Sequence, residues 1–194
     1  MSLKLTLQAK TGNWERFKLR KSNPKFKRIA GLVFARDKHT CRYTGYHGAG
    51  LEVVNADGDY SNNTKDNLVT ADGLAAKCLL LDSYPLQYDG ADRIIYLPEM
   101  TQAQLLNTCR ILFCQMEGGK NSEAAYNAKM TYAQLQDRAK WLDEKTESNL
   151  SNPGVFAHYI NDKPDPEVVN KCRWLPAAEN YEKAIANWKD ALNL

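Results

Sequence analysis

Residues 41–78 read CRYTGYHGAGLEVVNADGDYSNNTKDNLVTADGLAAKC, and turn formers crowd the stretch: Thr-Gly, Gly-Ala-Gly, Ala-Asp-Gly-Asp, Ser-Asn-Asn and Asp-Gly. Residues of these types either tolerate left-handed backbone or bond their side chains to nearby main chain, so they break the segment into turns. LEVVN at 51–55 is the one good strand candidate among them. Several side chains carry metal-donor atoms: Cys41, His47, Asp72 and Cys78. Their spacing matches no common structural zinc pattern. Asp57, Asp59, Asn62 and Asn63 resemble a calcium loop but lack the register and closing glutamate of an EF-hand, so turn chemistry is the better account. Asp72-Gly73 reads as a turn or helix cap. Cys78 reads as a core thiol opening the apolar run Leu79, Leu80, Leu81.

Working outward, LKLTLQ at 3–8 alternates apolar and polar residues and predicts a short strand. Asn23-Pro24 marks a turn, and PKFKRIAGLVFARD then places Phe26, Ile29 and Leu32 or Val33 on one helical face. RIIYL at 93–97 is a further strand. Beyond it the chain turns helical. Thr101 with Gln104 fits a capping box opening a helix that ends at Gly118-Gly119, with Leu105, Cys109, Leu112 and Met116 as its stripe. A longer helix over about 122–147 carries Ala124, Ala128, Tyr132, Leu135, Ala139 and Leu142. Asn152-Pro153 and Asp165-Pro166 each look like a cap followed by proline in the first helical position. A final helix over about 176–192 shows Tyr181, Ile185, Trp188 and Leu192 in register. The expected architecture is α+β in a single domain, residues 1–194. A β-containing core with a basic front occupies 1–98, and a helical half packed on it occupies 99–194.

Composition sets the class. With 43% hydrophobic and 25% charged residues the chain is an ordinary globular one. No apolar run approaches the roughly 18 residues of a membrane span, and MSLKLTLQAK lacks a signal-peptide core, so a cytoplasmic protein is expected. Cys41, Cys78, Cys109, Cys114 and Cys172 are odd in number and widely spaced, which argues for reduced thiols rather than a disulfide framework. Cys109 and Cys114 point to different sides of their helix and read as small core residues. The net charge of +3 hides an asymmetry: residues 1–45 carry twelve Lys or Arg against Glu15 and Asp37 alone. A front so basic suits nucleic acid, an acidic partner, or the protein's own acidic remainder. Trp14, Phe17, Phe26 and Phe34 are interleaved with those charges.

The central stretch resembles the frame of HNH-type (ββα-metal) nucleases. FARDKHTC at 34–41 is similar to the lead-in of that module, LEVVN to its first strand and DNLVT at 66–70 to its second conserved segment. The resemblance puts the general-base histidine at Asn55, the preceding acidic position at Val54 and the bracing asparagine at Asn67. It puts the two Cys-x-x-Cys zinc pairs at Cys41 with Thr44 and at Asp72 with Ala75. An amide cannot take a proton from water near neutral pH, and three of the thiolates are replaced. The implied fold is an HNH-like core that lacks its metal.

Across nearly the whole chain the sequence resembles the IcmJ/DotN family of Dot/Icm-type (type IVB) secretion and conjugation systems. FARDKHTCRYTGY, VVNADGDYSNNTKDNLVTADGLAAKC, IIYLPEMTQAQLLNTCRILFC, NPGVFAHYI and RWLPAAENYEKAIANW carry the likeness. It implies a non-catalytic adaptor, with no cofactor, that binds a coupling ATPase of the DotL type and other subunits of the coupling complex. Such a protein would be cytoplasmic and peripheral at the inner membrane. It also implies cysteines at the positions of Thr44 and Ala75 and at or beside Asp72, which this chain lacks. The competing expectation is a degenerate HNH nuclease binding nucleic acid through its basic N-terminal region.

Overall fold

Antiparallel pairing organises the central stretch. In the computed structural model, which describes residues 2–118 and 122–192, β1 (Leu51–Asn55) lies against β2 (Leu68–Asp72), with Leu51 opposite Asp72 and Asn55 opposite Leu68. The propensity reading found β1 and missed β2. All five residues of β2 are buried, so LVTAD shows no polar alternation to betray a strand. A short helix, α3 (Gly73–Cys78), follows at once because the Asp72 side chain accepts from the N–H groups of Leu74 and Ala75 and caps it.

In front of the hairpin stand α1 (Asn13–Ser22) and α2 (Pro24–Arg36). The sequence pattern did not announce α1, which buries only Asn13, Phe17 and Arg20. α2 starts where Asn23-Pro24 predicts, with the Asn23 side chain accepting from the N–H of Lys25 and Phe26. Val33 rather than Leu32 turns inward: it is fully buried against Val53 and Leu68, while Leu32 is 58% exposed. The end of α2 is tied to β2 through Asp37. Its carboxylate accepts from Arg36 at 2.9 and 3.1 Å and from the Thr70 N–H at 2.8 Å. Burial alone would push this carboxyl up, but the Arg36 and Thr70 hydrogen bonds outweigh it and hold it below the usual carboxylate range. Its contribution to stability is therefore present above the ordinary carboxylate pKa and lost as pH falls through the lower folded value.

The expected strand at 3–8 is a correction. Leu5, Leu7 and Ala9 are buried in alternation, yet the backbone bonds lie only towards its ends, from Leu3 N–H to Arg42 and from Gln8 N–H to Cys78. Period-two burial fixes which side chains face in. A strand needs a neighbour along its whole length, and none runs beside this one.

A second two-stranded sheet sits in the other half. β3 (Arg93–Tyr96) appears where RIIYL predicts and pairs antiparallel with β4 (Cys172–Leu175), Arg93 opposite Leu175. β4 was not foreseen, and it puts a strand inside the stretch expected to be helical. The buried Asp92 carboxylate closes this sheet at one end. It accepts from Tyr84 Oη at 2.5 Å and from the Ala177 N–H at 2.8 Å, and Trp174 Nε1 donates to the same tyrosine at 2.9 Å.

The helices follow the sequence closely. α4 (Gln102–Glu117) carries the Thr101–Gln104 capping box and ends at Gly118; Gly119 lies outside the described residues. α5 (Glu123–Thr146) buries Ala125 where Ala124 was expected, the helix being turned by one position from the predicted stripe at its start. α6 (Pro153–Asn161) and α7 (Pro166–Lys171) begin with side-chain caps from Asn152 and Asp165. The last helix is split. A 3-10 turn over Ala178–Tyr181 precedes α8 (Glu182–Leu192), whose Ile185 and Trp188 are buried; the Leu192 side chain lies outside the described part. One apolar cluster runs from Leu5 to Trp188 and takes in all five cysteines, each a free, buried thiol. Among the described residues no helix is long and apolar enough to cross a membrane.

The start of α6 lies directly on backbone. A Cβ on Gly154 would sit 1.8 Å from the Pro85 carbonyl oxygen, and main chain cannot yield as a side chain can. Gly154→Ala is expected to lower the stability measured by urea unfolding by about 1–3 kcal/mol.

Candidate functional site

The hairpin brings together the positions that the HNH resemblance singles out, in two clusters at opposite ends of β1. At the far end, Asn55 is fully buried. Its Nδ2 donates to the carbonyls of Asp59 at 2.8 Å and Asn62 at 2.6 Å, and its Oδ1 accepts from the Arg20 guanidinium. Arg20 also donates to the Val53 carbonyl at 2.5 Å and to Asn63 Oδ1 at 2.9 Å. The rings of Phe26 and Tyr60 lie 4.5 and 4.7 Å from the guanidinium. Burial lowers the Arg20 pKa to about 10, so it stays cationic near neutrality. Asn67 donates to Asp57 Oδ1 and to the Asn62 carbonyl, each at 2.8 Å, and accepts from the Asp57 N–H. Both asparagines thus staple the 56–67 loop. Neither amide is a group that could take a substrate proton near neutral pH.

The same loop settles the acidic residues. Asp57 accepts from the Asp59 N–H and from Asn62 Nδ2, and Asp59 accepts from the Ser61 N–H and hydroxyl. These are Asx turns, with carboxylates spent on nearby main chain.

At the near end the expected zinc-ligand positions converge, but around a different cation. Asp72 Oδ2 accepts from Thr44 Oγ1 at 2.5 Å. Asp72 Oδ1 accepts from the N–H groups of Leu74 and Ala75, each at 3.0 Å. The Thr44 N–H points at Cys41 Sγ at 3.4 Å. Into this group α4 inserts Arg110, whose Nη2 lies 2.5 Å from Asp72 Oδ1 with both side chains 3% exposed. The guanidinium stacks 4.6 Å from the Tyr46 ring centre. Its Nη1 donates to Asn107 Oδ1 at 2.7 Å, and Asn107 in turn donates to the Thr44 carbonyl at 3.0 Å. A carboxylate taken out of water needs a partner charge and filled hydrogen bonds, and here it has both.

These residues do not fit zinc. A structural zinc site takes four deprotonated or neutral donors. This one offers a single thiol, a hydroxyl and a carboxylate already committed to an arginine. Burial, with Asp72 beside it, pushes the Cys41 thiol up to about 11, so it is protonated at neutral pH. His47 is exposed and faces Thr40, and Cys78 is fully buried in the core with its thiol driven well above the ordinary value by burial. Cys41, His47, Asp72 and Cys78 are therefore not assembled into one ligand set. Among the described residues no group of three or more His, Cys, Asp or Glu is placed to hold a metal ion.

Apolar packing completes the junction. Leu74, Leu79, Leu80 and Leu81 are buried in the same cluster as Cys41, Tyr43, Tyr46 and Val54. The residues that sequence reasoning missed are Arg20 and Arg110. Each stands on the buried face of its helix, Arg20 three positions after Phe17 and Arg110 four after Leu106. An arginine inside an apolar stripe was the available signal.

Four outcomes are expected from this geometry. Arg110→Ala strands a buried carboxylate and is expected to lower stability by about 3–5 kcal/mol. The double variant Asp72→Leu with Arg110→Met should recover much of that, and chelator should leave the wild-type melting temperature unchanged. Leu74→Ala, which empties a site packed on both strands, is expected to lose about 2–5 kcal/mol in urea unfolding.

No family model matches the sequence. Among curated proteins, the type 4 apparatus protein DotN of Legionella pneumophila is 32% identical to it over 191 residues, covering 95% of this chain and 88% of the relative. With that identity sustained over nearly the full length of both proteins, the chain belongs to the DotN family.

Proposed function

We propose that this protein is a non-catalytic component of a type IV secretion apparatus, acting as an adaptor that binds the coupling ATPase. Membership of the DotN family supports the first part, since the Legionella relative is named as a type 4 apparatus protein. The state of the hairpin supports the second. The single observation that carries the reading is that the side chains at the degenerate catalytic positions are spent on structure. Asn55 is saturated by the 59–62 loop and Arg20, and Asp72 by Thr44, the α3 N–H groups and Arg110. A hydrolytic centre needs a group free to take a proton and an electrophile free to receive the phosphate oxygens. With the interior committed, function falls to the surface, as it does in an adaptor. The HNH-like frame is part of the same proposal: hairpin, then short helix, in the order β1, β2, α3.

The adaptor reading is tested by affinity capture from native membranes, with the ATPase expected to co-purify in stoichiometric amount. Capture of the remaining apparatus without the ATPase would overturn it. The purified chain is expected to cleave neither single- nor double-stranded DNA with magnesium, manganese or zinc, because proton abstraction alone is worth about 10²–10⁴-fold in rate. Metal-dependent cleavage that co-elutes with the protein would contradict the non-catalytic part. Steeply salt-dependent DNA binding would favour the nucleic-acid reading instead.

A further inference from the structure

The aromatic residues scattered through the basic front of the sequence come to lie along one surface trough. From α1 it receives Trp14, Phe17 and Lys21, at positions i, i+3 and i+7. From α2 it receives Phe26, Ala30 and Phe34, at i, i+4 and i+8. Two hollows of about 140 and 250 Å³ adjoin there, sharing Phe17, Lys21 and Glu52 in their lining. Phe17 is buried at its base, while Trp14, Phe26 and Phe34 are half-buried; Trp14 stacks on Phe17, Phe26 lies against Arg20 and Phe34 against His39, each leaving part of its surface exposed.

Charge surrounds this apolar floor. Lys21 pairs with Glu52 across it at 2.5 Å, and Lys18 and Lys77 stand 5.4 and 5.9 Å from the Trp14 ring. On α2, Lys25, Lys27 and Arg28 are exposed, and among the described residues they form no ion pair. They belong to the 1–45 stretch whose twelve Lys or Arg face only Glu15 and Asp37 in sequence.

We infer that this trough docks an acidic, amphipathic segment of a protein partner, with apolar side chains in the two hollows and carboxylates against Lys25, Lys27 and Arg28. The charge pattern favours protein over nucleic acid. A phosphate backbone needs unopposed cations along the floor it follows, whereas here Lys21, Lys27 and Lys77 line a mostly aromatic and aliphatic floor and the Glu52 carboxylate sits among them, paired with Lys21. An amphipathic segment meets both parts of the surface, anchors in the hollows and acids on the rim. The inference rests on the adaptor reading and gives it a face.

The test is site-specific photocrosslinking in cells that carry the full apparatus. p-Benzoylphenylalanine replaces Phe34 in the trough and, as control, Leu86, which is exposed elsewhere. The expected result is an adduct at position 34 that mass spectrometry maps to a protein segment of net negative charge bearing apolar residues. Ala30→Glu, which places a carboxylate in the trough, is expected to weaken that capture by at least about tenfold, the scale of one disrupted anchor, with an unchanged melting temperature. Lys27→Glu with Arg28→Glu should act in the same direction. An adduct to nucleic acid or to a second copy of the chain, no adduct above the position-86 control, or capture indifferent to Ala30→Glu would each overturn the inference. If the segment belongs to the coupling ATPase, both readings stand. If it belongs to another protein, the docking face stands and the affinity capture decides the adaptor reading separately.

Discussion

The buried ion pair between Asp72 and Arg110 is the interaction on which the rest of the arrangement depends. A turn-rich segment such as 41–50 has too few apolar side chains to hold itself against the hairpin, so some concentrated interaction must fix it there. Asp72 meets that need from one carboxylate. It caps α3, accepts the Thr44 hydroxyl and receives a guanidinium from α4, so turn, strand end, short helix and long helix meet within hydrogen-bond reach of one side chain. Desolvating a carboxylate and a guanidinium is costly, and pairing them recovers that only when the remaining donors are filled. Here the fill is nearly complete. Arg110 Nε and the Tyr46 hydroxyl are the nearby groups left without a protein partner, and the Tyr46 ring offsets part of that deficit by lying against the guanidinium.

Arg20 does the corresponding work at the other end of β1. It threads between Phe26 and Tyr60, takes the Val53 carbonyl on the open edge of the strand and holds Asn55, which in turn holds the 59–62 turn. The hairpin is therefore pinned by an arginine at each end, one delivered by α1 and the other by α4. Both helices bring their cation from outside the hairpin, which ties the small sheet to its surroundings more firmly than its own ladder could, since an isolated two-stranded sheet is marginal in water.

This distribution of roles bears on function. The polar side chains at the two ends of the hairpin, Asn55 and Asp72, have structural partners, while Lys25, Lys27 and Arg28 on α2 face outward. Under the proposed adaptor role, recognition would fall to that outer face, and the interior would serve to keep the junction closed.

The sequence by itself determined what local chemistry can determine. The Thr101 capping box, the Asn152-Pro153 and Asp165-Pro166 starts, the RIIYL strand and the core placement of Cys78, Cys109 and Cys114 were legible because each shows in the pattern of near neighbours in the chain. So were the identities of Asn55, Thr44, Asp72 and Ala75, at the positions where the HNH resemblance implies a base and thiolates. Tertiary structure decided the rest. β2 and β4 are strands because a partner lies beside them, and 3–8 is not one because none does. Ala125 and Val33 are inside because of how their helices sit. What pairs with Asp72 was also beyond local reading: Arg110 lies 38 positions from it in sequence, and only the docking of α4 on α3 brings a guanidinium to that carboxylate, where low local polarity makes the pair strong enough to matter.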